Sequence, residues 1–353
     1  MKTHLPAPLD LTRGRAVTPM AFIRAIVLGY RVRGQDPANA LRQAQIPADA
    51  LNDPDARVTA AQMETISALA MQELDDEALG WFSRRLPWGS YGMLARASLT
   101  SPTLEVALKR WCRHHRLLTD DLALTLTHAR HIATIRIGEE RDFGAMREFC
   151  LVSMLRNLLG YACWLIDSRI ALVETTLPFP APRHADAYPY LFPGPLRFDA
   201  EAAGLSFDAR YLGLPLCRDD QALRAMLQRA LPLTVHQYRR DRLLVHSVRQ
   251  ILTNSAGLVR TAEELAAQLN MSVRTLHRQL KAEGVSLQRL KDEARRERAI
   301  RLLLQTRKPI KQIAAAVGFD SEKSFSRAFR DWTGMAPGRF RAKAEDGVEA
   351  AHI

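Results

Sequence analysis

Residues Pro309 to Arg341, P-I-K-Q-I-A-A-A-V-G-F-D-S-E-K-S-F-S-R-A-F-R-D-W-T-G-M-A-P-G-R-F-R, decide how the last third of the chain folds. At helical spacing Ile310, Ile313, Ala314 and Val317 share one apolar face, and Gly318 stands where a helix must end in a residue tolerant of positive φ. A tight turn is expected next. Ser321 then offers an N-cap to a second helix whose inward positions are Phe325, Phe329 and Trp332. Glu322, Lys323, Ser324, Ser326, Arg327 and Arg330 are left on its open side. The stretch reads as a helix-turn-helix with a basic outer face.

The same pattern occurs once before. Thr261-Ala262-Glu263-Glu264 is a capping box in front of Leu265, Ala266 and Leu269, and Asn270 with Met271 makes the turn. Ser272 caps a second helix with Leu276 and Leu280 inward and Arg274, His277, Arg278 and Lys281 outward. Leu265, Ala266 and Leu269 match Ile313, Ala314 and Val317 at an offset of 48, and Leu276, Arg278 and Leu280 match Phe325, Arg327 and Phe329 at 49. Between the copies, Ser286 to Gln305 reads as one long helix with Leu290, Ala294, Ile300 and Leu303 or Leu304 buried. At about 1.5 Å per residue it spans about 30 Å, close to the roughly 34 Å that separates successive major grooves on one face of B-DNA.

The residues I-x-x-I-A-x-x-x-G-F-x-S-x-x-x-F-x-R-x-F-R-x-x-x-G-x-x-P-x-x-F-R, from Ile310 to Arg341, resemble the signature of the AraC/XylS family of bacterial transcription regulators, with Phe340 where the family commonly has Tyr. Leu172 to Leu212, with F-P-A-P, Y-P-Y-L-F-P-G-P-L-R-F-D-A and L-S-F-D, resembles the arabinose-binding-type effector and dimerisation domain of one branch of that family, over roughly Ala21 to Leu216. The resemblance implies double-stranded promoter DNA as partner, a small-molecule effector, a homodimer, and activation by recruiting RNA polymerase. It places base-reading positions on Arg274, His277 and Arg278 in the first recognition helix and on Glu322, Lys323, Ser324 and Arg327 in the second. Lys281 and Arg330 complete the candidate set. Glu322 is the odd member, since a carboxylate near phosphates is repelled unless it accepts from cytosine N4, pairs with a Lys, or serves the helix N-terminus.

The 353 residues exceed one ordinary core, so two domains are expected, an α+β domain followed by an all-α one. The boundaries read from the sequence are an arm at 1–18, an effector-binding or dimerising domain at 19–216, a linker at 217–235, a DNA-binding domain at 236–343 and a disordered tail at 344–353. Charge divides accordingly. Residues 236–343 hold 23 Lys and Arg against 10 Asp and Glu, a net +13, whereas residues 1–235 hold 27 against 25. Such a block is the electrostatic footprint of a polyanion partner, because neutralising phosphates releases condensed counterions. Cys112, Cys150, Cys163 and Cys217 form no C-x-x-C pair and read as reduced thiols. The run Met20 to Tyr30 is broken by Arg24 and offers no cleavage site, and no segment reaches the roughly 20 apolar residues a bilayer requires. A cytoplasmic protein is expected, with no membrane partner.

In the N-terminal part, helical spacing marks Pro19 to Arg31, Asp36 to Gln45, Thr59 to Leu74 and Ser101 to Arg116. Leu122 to Leu126 and His131 to Ile137 alternate as a β-hairpin connected around Thr127 to Arg130, and Phe143 to Ile166 is a central helix, almost apolar all round after Phe149. Ile170 to Leu177, Leu196 to Phe198 and Gly204 to Phe207 read as short strands. Trp88, Tyr91, Trp111 and Trp164 are the candidate pocket aromatics, although core packing is the simpler account of each.

Cys112, His114, His115, His128 and His131 match no common zinc framework, so no metal or cofactor is expected. No G-x-S-x-G, H-E-x-x-H or phosphate-loop motif is present, which argues against an enzyme. A methyl-accepting DNA-repair protein with a similar DNA-binding module would need an activated cysteine thiolate. The other alternative is a regulator whose N-terminal domain only dimerises.

Overall fold

The computed structural model describes residues 10–228, 241–254 and 261–349 and divides into two compact units, Met1–Asp241 and Arg242–Ile353. In the first unit, strand β1 (Ala16–Pro19) leads into helix α1 (Met20–Val32), followed by α2 (Ala38–Gln43). Strand β2 (Arg57–Thr59) pairs antiparallel with β1, then come α3 (Ala60–Glu73), α4 (Ser90–Leu99) and α5 (Leu104–His115). Thr59 is the N-cap of α3 rather than part of its inward face: its hydroxyl accepts from the Gln62 N–H while the Gln62 side chain returns to the Thr59 N–H.

Strands β3 (Leu122–Ala129) and β4 (Ile132–Glu139) form the hairpin, α6 (Arg147–Leu165) is the central helix, and β5 (Leu172–Thr176), α7 (Tyr188–Leu191), β6 (Leu196–Arg197), β7 (Ala203–Asp208) and α8 (Asp220–Leu227) follow. The sheet runs β3-β4-β7-β5-β6, antiparallel except for the β5–β6 pair. Its inner face carries Leu122, Leu124, Ile135, Ile137, Leu205 and Phe207, all buried, and its other face carries Thr125, Thr127, Arg136 and Glu174. Fifteen residues of α6 are buried, which makes it the centre of the unit's core.

Several expectations need correction. The hairpin strands extend through Thr127 to Ala129, leaving a turn at Arg130 and His131, because Arg130 takes φ 53° and reverses the chain at once. The end of the expected arm, Ala16 to Thr18, is strand, held by pairing to residues 57–59 far along the chain. Residues 1–9 and 229–235 of the arm and linker lie outside the described residues; Asp220–Leu227 within the linker is helix, in keeping with the helix-like spacing of Leu216 to Leu231. Helix α4 and strand β2 were not anticipated. Asp76, fully buried, organises the segment ahead of α4 by accepting from the Ala78, Gly80 and Leu86 N–H groups and from Arg33. The backbone there passes so close to α1 that a Cβ on Gly29 would stand 2.2 Å from the Leu79 carbonyl oxygen.

The second unit is helical throughout its described residues: α9 (Leu243–Asn254), α10 (Ala262–Gln268), α11 (Val273–Ala282), α12 (Leu287–Gln305), α13 (Ile310–Ala316), α14 (Glu322–Thr333) and α15 (Pro337–Glu349). It has two separate cores. Val248, Leu265, Ala266, Leu276 and Leu280 pack with Leu287 and Leu290 from the start of α12, whereas Ile313, Ala314, Val317, Phe325 and Phe329 pack with Ala299 and Leu303 from its end. Leu304 is 53 % exposed, so Leu303 is the inward residue. Residues 344–349 of the expected disordered tail continue α15, since no proline or glycine cap stops the helix at Lys343.

Candidate nucleic-acid interface

Each helix-turn-helix is built by the same local devices. In the first, the Asn270 and Met271 N–H groups return to the Ala267 and Ala266 carbonyls at 3.1 and 2.9 Å. In the second, Gly318 and Phe319 return to Ala315 and Ala314 at 3.1 and 3.0 Å. Both turns close on a left-handed residue, Asn270 at φ 53° and Gly318 at φ 81°. The offset then rises from 48 to 49 because Asp320 lengthens the second turn by one residue. Ser272 and Ser321 cap the recognition helices α11 and α14, accepting from the Thr275 and Ser324 N–H groups, each at 3.1 Å.

Amphipathic spacing sets what each recognition helix shows. Leu276 and Leu280 in α11 and Phe325 and Phe329 in α14 are fully buried. Arg274, His277, Arg278 and Lys281 are exposed on α11, and Glu322, Lys323, Ser324, Arg327 and Arg330 are exposed on α14. The structure thus leaves all nine candidate residues at the surface, in two sets, each on one helix. Arg274, Arg278, Lys281, Lys323, Arg327 and Arg330 take part in no ion pair among the described residues. By contrast, Glu293 of α12 holds Arg289 of the same helix at 3.1 Å and Arg249 of α9 at 2.7 Å, and Arg295 pairs with Asp292 while lying 5.5 Å from the centre of the Phe319 ring. Those cations brace the connecting helix, whereas the ones on the recognition helices stand ready for an anionic partner.

Two candidates have local work as well. The Ser324 hydroxyl accepts from the Ser321 hydroxyl at 2.9 Å, as Ser272 and Thr275 meet at 2.9 Å in the first copy, so Ser324 belongs to the cap. Glu322 occupies the first position of α14, where a carboxylate is favoured by the helix dipole.

In the N-terminal unit a cavity of about 400 Å³ lies between α3, α4, α6 and the end of α8. Trp88 and Tyr91 line it, whereas Trp111 and Trp164 are buried elsewhere in the core. Ser153, Arg156 and Asn157 of α6 also line it. Sequence reading missed these three because it took α6 as core; the signal was there, as three strongly polar residues at helical i, i+3, i+4 spacing in an otherwise apolar run.

The cysteines and histidines raised from the sequence are placed otherwise. Cys112, Cys150 and Cys163 are buried, and desolvation pushes the thiols of Cys112 and Cys163 up to about 11 and raises that of Cys150 well above its ordinary value, the reverse of an activated nucleophile. Cys217 is exposed. His115 is fully buried with Nε2 3.4 Å from the Tyr91 hydroxyl, and burial lowers its pKa to about 4. Among the described residues no three His, Cys, Asp or Glu converge as metal ligands, and no helix is long and apolar enough to cross a membrane.

Comparison with known proteins bears on both units. A family described as the N-terminal arabinose-binding domain of the AraC transcription regulator matches residues 34–216, and a helix-turn-helix domain family matches residues 265–343. The ornithine utilization regulator of Pseudomonas aeruginosa is 28 % identical over 340 residues, 95 % of this chain and 98 % of that protein. The regulator VirS of Mycobacterium tuberculosis is 27 % identical over 345 residues, 91 % and 97 % of the two chains. Among solved structures, an AraC-type regulator from Chromobacterium violaceum is 28 % identical, with 29 % of this chain and 91 % of that one covered at a TM-score of 0.28.

Proposed function

The chain belongs to the AraC family of DNA-binding transcription regulators, with an arabinose-binding-type N-terminal domain, and from that premise we propose that it is a promoter-bound activator controlled by a small molecule. The observation that carries the DNA-binding part is the repeated outward face: Arg274, Arg278 and Lys281 on α11 and Lys323, Arg327 and Arg330 on α14 are exposed and unpaired among the described residues. Arg278 and Arg327, equivalent in the repeat, read bases through their forked donors, for which guanine O6 and N7 are the natural acceptors. Lys281 and Arg330, a turn further along, meet phosphates. His277 and Arg274 complete the first reading face, Lys323 the second, and Ser324 and Glu322 mainly hold the start of α14. Helix α12 spaces the two modules, since each packs on a different end of it.

Effector control rests on the cavity in the N-terminal unit, which is of the size and mixed character that hold small molecules. A homodimer and contact with RNA polymerase complete the proposal on the strength of family membership. Footprinting the purified full chain on the DNA beside its own gene, over a range of salt, tests it. Two protected major-groove segments one helical turn apart are expected; a single protected segment, insensitive to Arg278→Ala, would refute the double reading. Transcription in vitro with purified polymerase, raised rather than lowered by the protein, tests activation.

A further inference from the structure

The nearly balanced charge of the first unit hides two blocks of opposite sign. Residues 34–77 hold 2 Lys and Arg against 9 Asp and Glu, a net −7, and residues 84–116 hold 7 against 1, a net +6. The fold brings the two blocks together at one seam. Just past the end of α1, Arg33 donates through Nη2 to Asp76 at 2.8 Å and to the Phe82 carbonyl at 3.2 Å, and Asp76 also accepts from the Leu86 N–H at 3.0 Å. Arg84, between Phe82 and Leu86, donates through Nε to the Leu118 carbonyl at 2.6 Å and through Nη2 to the Leu117 carbonyl. One run of contacts thus joins the end of α1 to the end of α5, with the Arg33–Asp76 pair beneath it.

On the acidic side, Asp36, Glu73 and Asp75 are exposed and in no ion pair among the described residues. They are held in place: Asp36 accepts from the Ala38 N–H at 3.0 Å, Glu73 from the Tyr30 hydroxyl and the Asn39 carboxamide at 2.5 and 2.6 Å, and Asp75 from the Trp88 N–H at 2.9 Å. Arg31, also exposed, offsets one of these charges. On the basic side, Arg85, Arg113 and Arg116 are exposed and their side chains make neither hydrogen bond nor ion pair among the described residues. The helix dipole favours cations at the end of α5, but Arg84 already answers the carbonyls there, and further like charges close together repel. Asp121 on that side is taken up by Ser83 and by Arg141 at 3.5 Å, and exposed Asp120 offsets one charge. Each side also shows a bare aliphatic residue: Val32, 57 % exposed, four residues before Asp36, and Leu117, 68 % exposed, four residues after Arg113.

A DNA duplex or an acidic protein would answer the basic side and be repelled by the acidic one. A second copy turned about a two-fold axis answers both at once. Resting on the reading that the protein is a homodimer, we propose that two copies of the chain meet across this face, the acidic side and Val32 of each covering the basic side and Leu117 of the other. The two-fold axis then passes near the Arg33–Asp76 pair, and every charge contact occurs twice.

Sedimentation equilibrium of the full chain over a range of salt tests the assignment. Asp36→Lys, and separately the double variant Arg113→Glu with Arg116→Glu, should each weaken dimerisation about tenfold or more, since each sets like charges against one another at both contacts. Mixed in equal amounts, the two variants should dimerise nearly as well as the wild type, because both contacts of the mixed pair regain opposite signs. Melting temperatures near that of the wild type show that the loss is one of association. In a Cys217→Ser background, Val32→Cys and Leu117→Cys chains should cross-link to each other under diamide and neither to itself. Dimerisation unchanged in both charge variants would overturn the face, leaving it to another partner, while the homodimer stands on another surface. A wild type that is monomeric at every concentration would overturn the homodimer and the face together. Weakening without rescue in the mixture would overturn the acidic-to-basic pairing. Normal dimerisation with lost DNA affinity in the double arginine variant would make the basic side a DNA contact and overturn the proposal.

Discussion

Arg278 and Arg327 occupy one place in two helices that share few other side chains, and their exposure without an ion-pair partner among the described residues makes them separable from stability. Arg278→Ala or Arg327→Ala is expected to cost about 1 to 3 kcal/mol of specific DNA binding and to relax one base position, with thermal stability nearly unchanged; binding isotherms on matched and mutated sites, with melts of each variant, check this. His115 sets a pH dependence of a different kind. Burial holds its folded pKa near 4, below its ordinary 6.5, so the unfolded chain takes up the proton first as pH falls. Its contribution to stability, up to about 3 kcal/mol, is complete above pH 6.5 and is lost as pH drops toward 4. Denaturant titrations at pH 7.5 and 4.5 should show the N-terminal unit weakening across that window, and less so in His115→Phe. Both arginines were legible from sequence, because exposure on an amphipathic helix follows from spacing. The burial of His115 was not, because neighbours on other elements impose it.

At the scale of elements, the two helix-turn-helix units show one design with two choices at the turn. Asn270 and Gly318 both take left-handed φ, which asparagine tolerates and glycine adopts without cost. Gly318→Val should therefore destabilise the C-terminal unit by about 1 to 2 kcal/mol, whereas Asn270→Gly should be close to neutral, and chemical denaturation of the two variants compares them directly. Phe329, fully buried against the end of α12, has a larger role. Phe329→Ala is expected to cost about 3 to 5 kcal/mol and to abolish protection of the second DNA segment before the first, since the first module packs in its own core. Caps and periodicity made these helices readable to within a residue or two. The β1–β2 pair and α4 escaped notice because β1 and β2 are only 4 and 3 residues long, and α4 starts behind a segment arranged by buried Asp76 and is capped by the distant Glu77 carboxylate rather than by a neighbouring side chain.

At the scale of the whole molecule, charge and recognition are assigned to different parts of the chain. The excess of +13 over residues 236–343 is expected to make DNA binding fall steeply with salt. If about six phosphates are contacted, affinity should drop roughly a thousandfold between 50 and 200 mM salt, and Lys281→Ala should shallow the log–log slope by about one. Fluorescence anisotropy across a salt series measures both. The sequence by itself determined the repeated helix-turn-helix, the basic faces and the α+β character of the first unit, because amphipathic spacing, caps and composition are local properties that survive without knowledge of partners. Only the tertiary structure decided the strand order β3-β4-β7-β5-β6, the division of α12 between two cores, and the cavity that gathers Ser153, Arg156 and Asn157 with Trp88 and Leu227. Those features depend on which distant residues meet, and no local pattern carries that information.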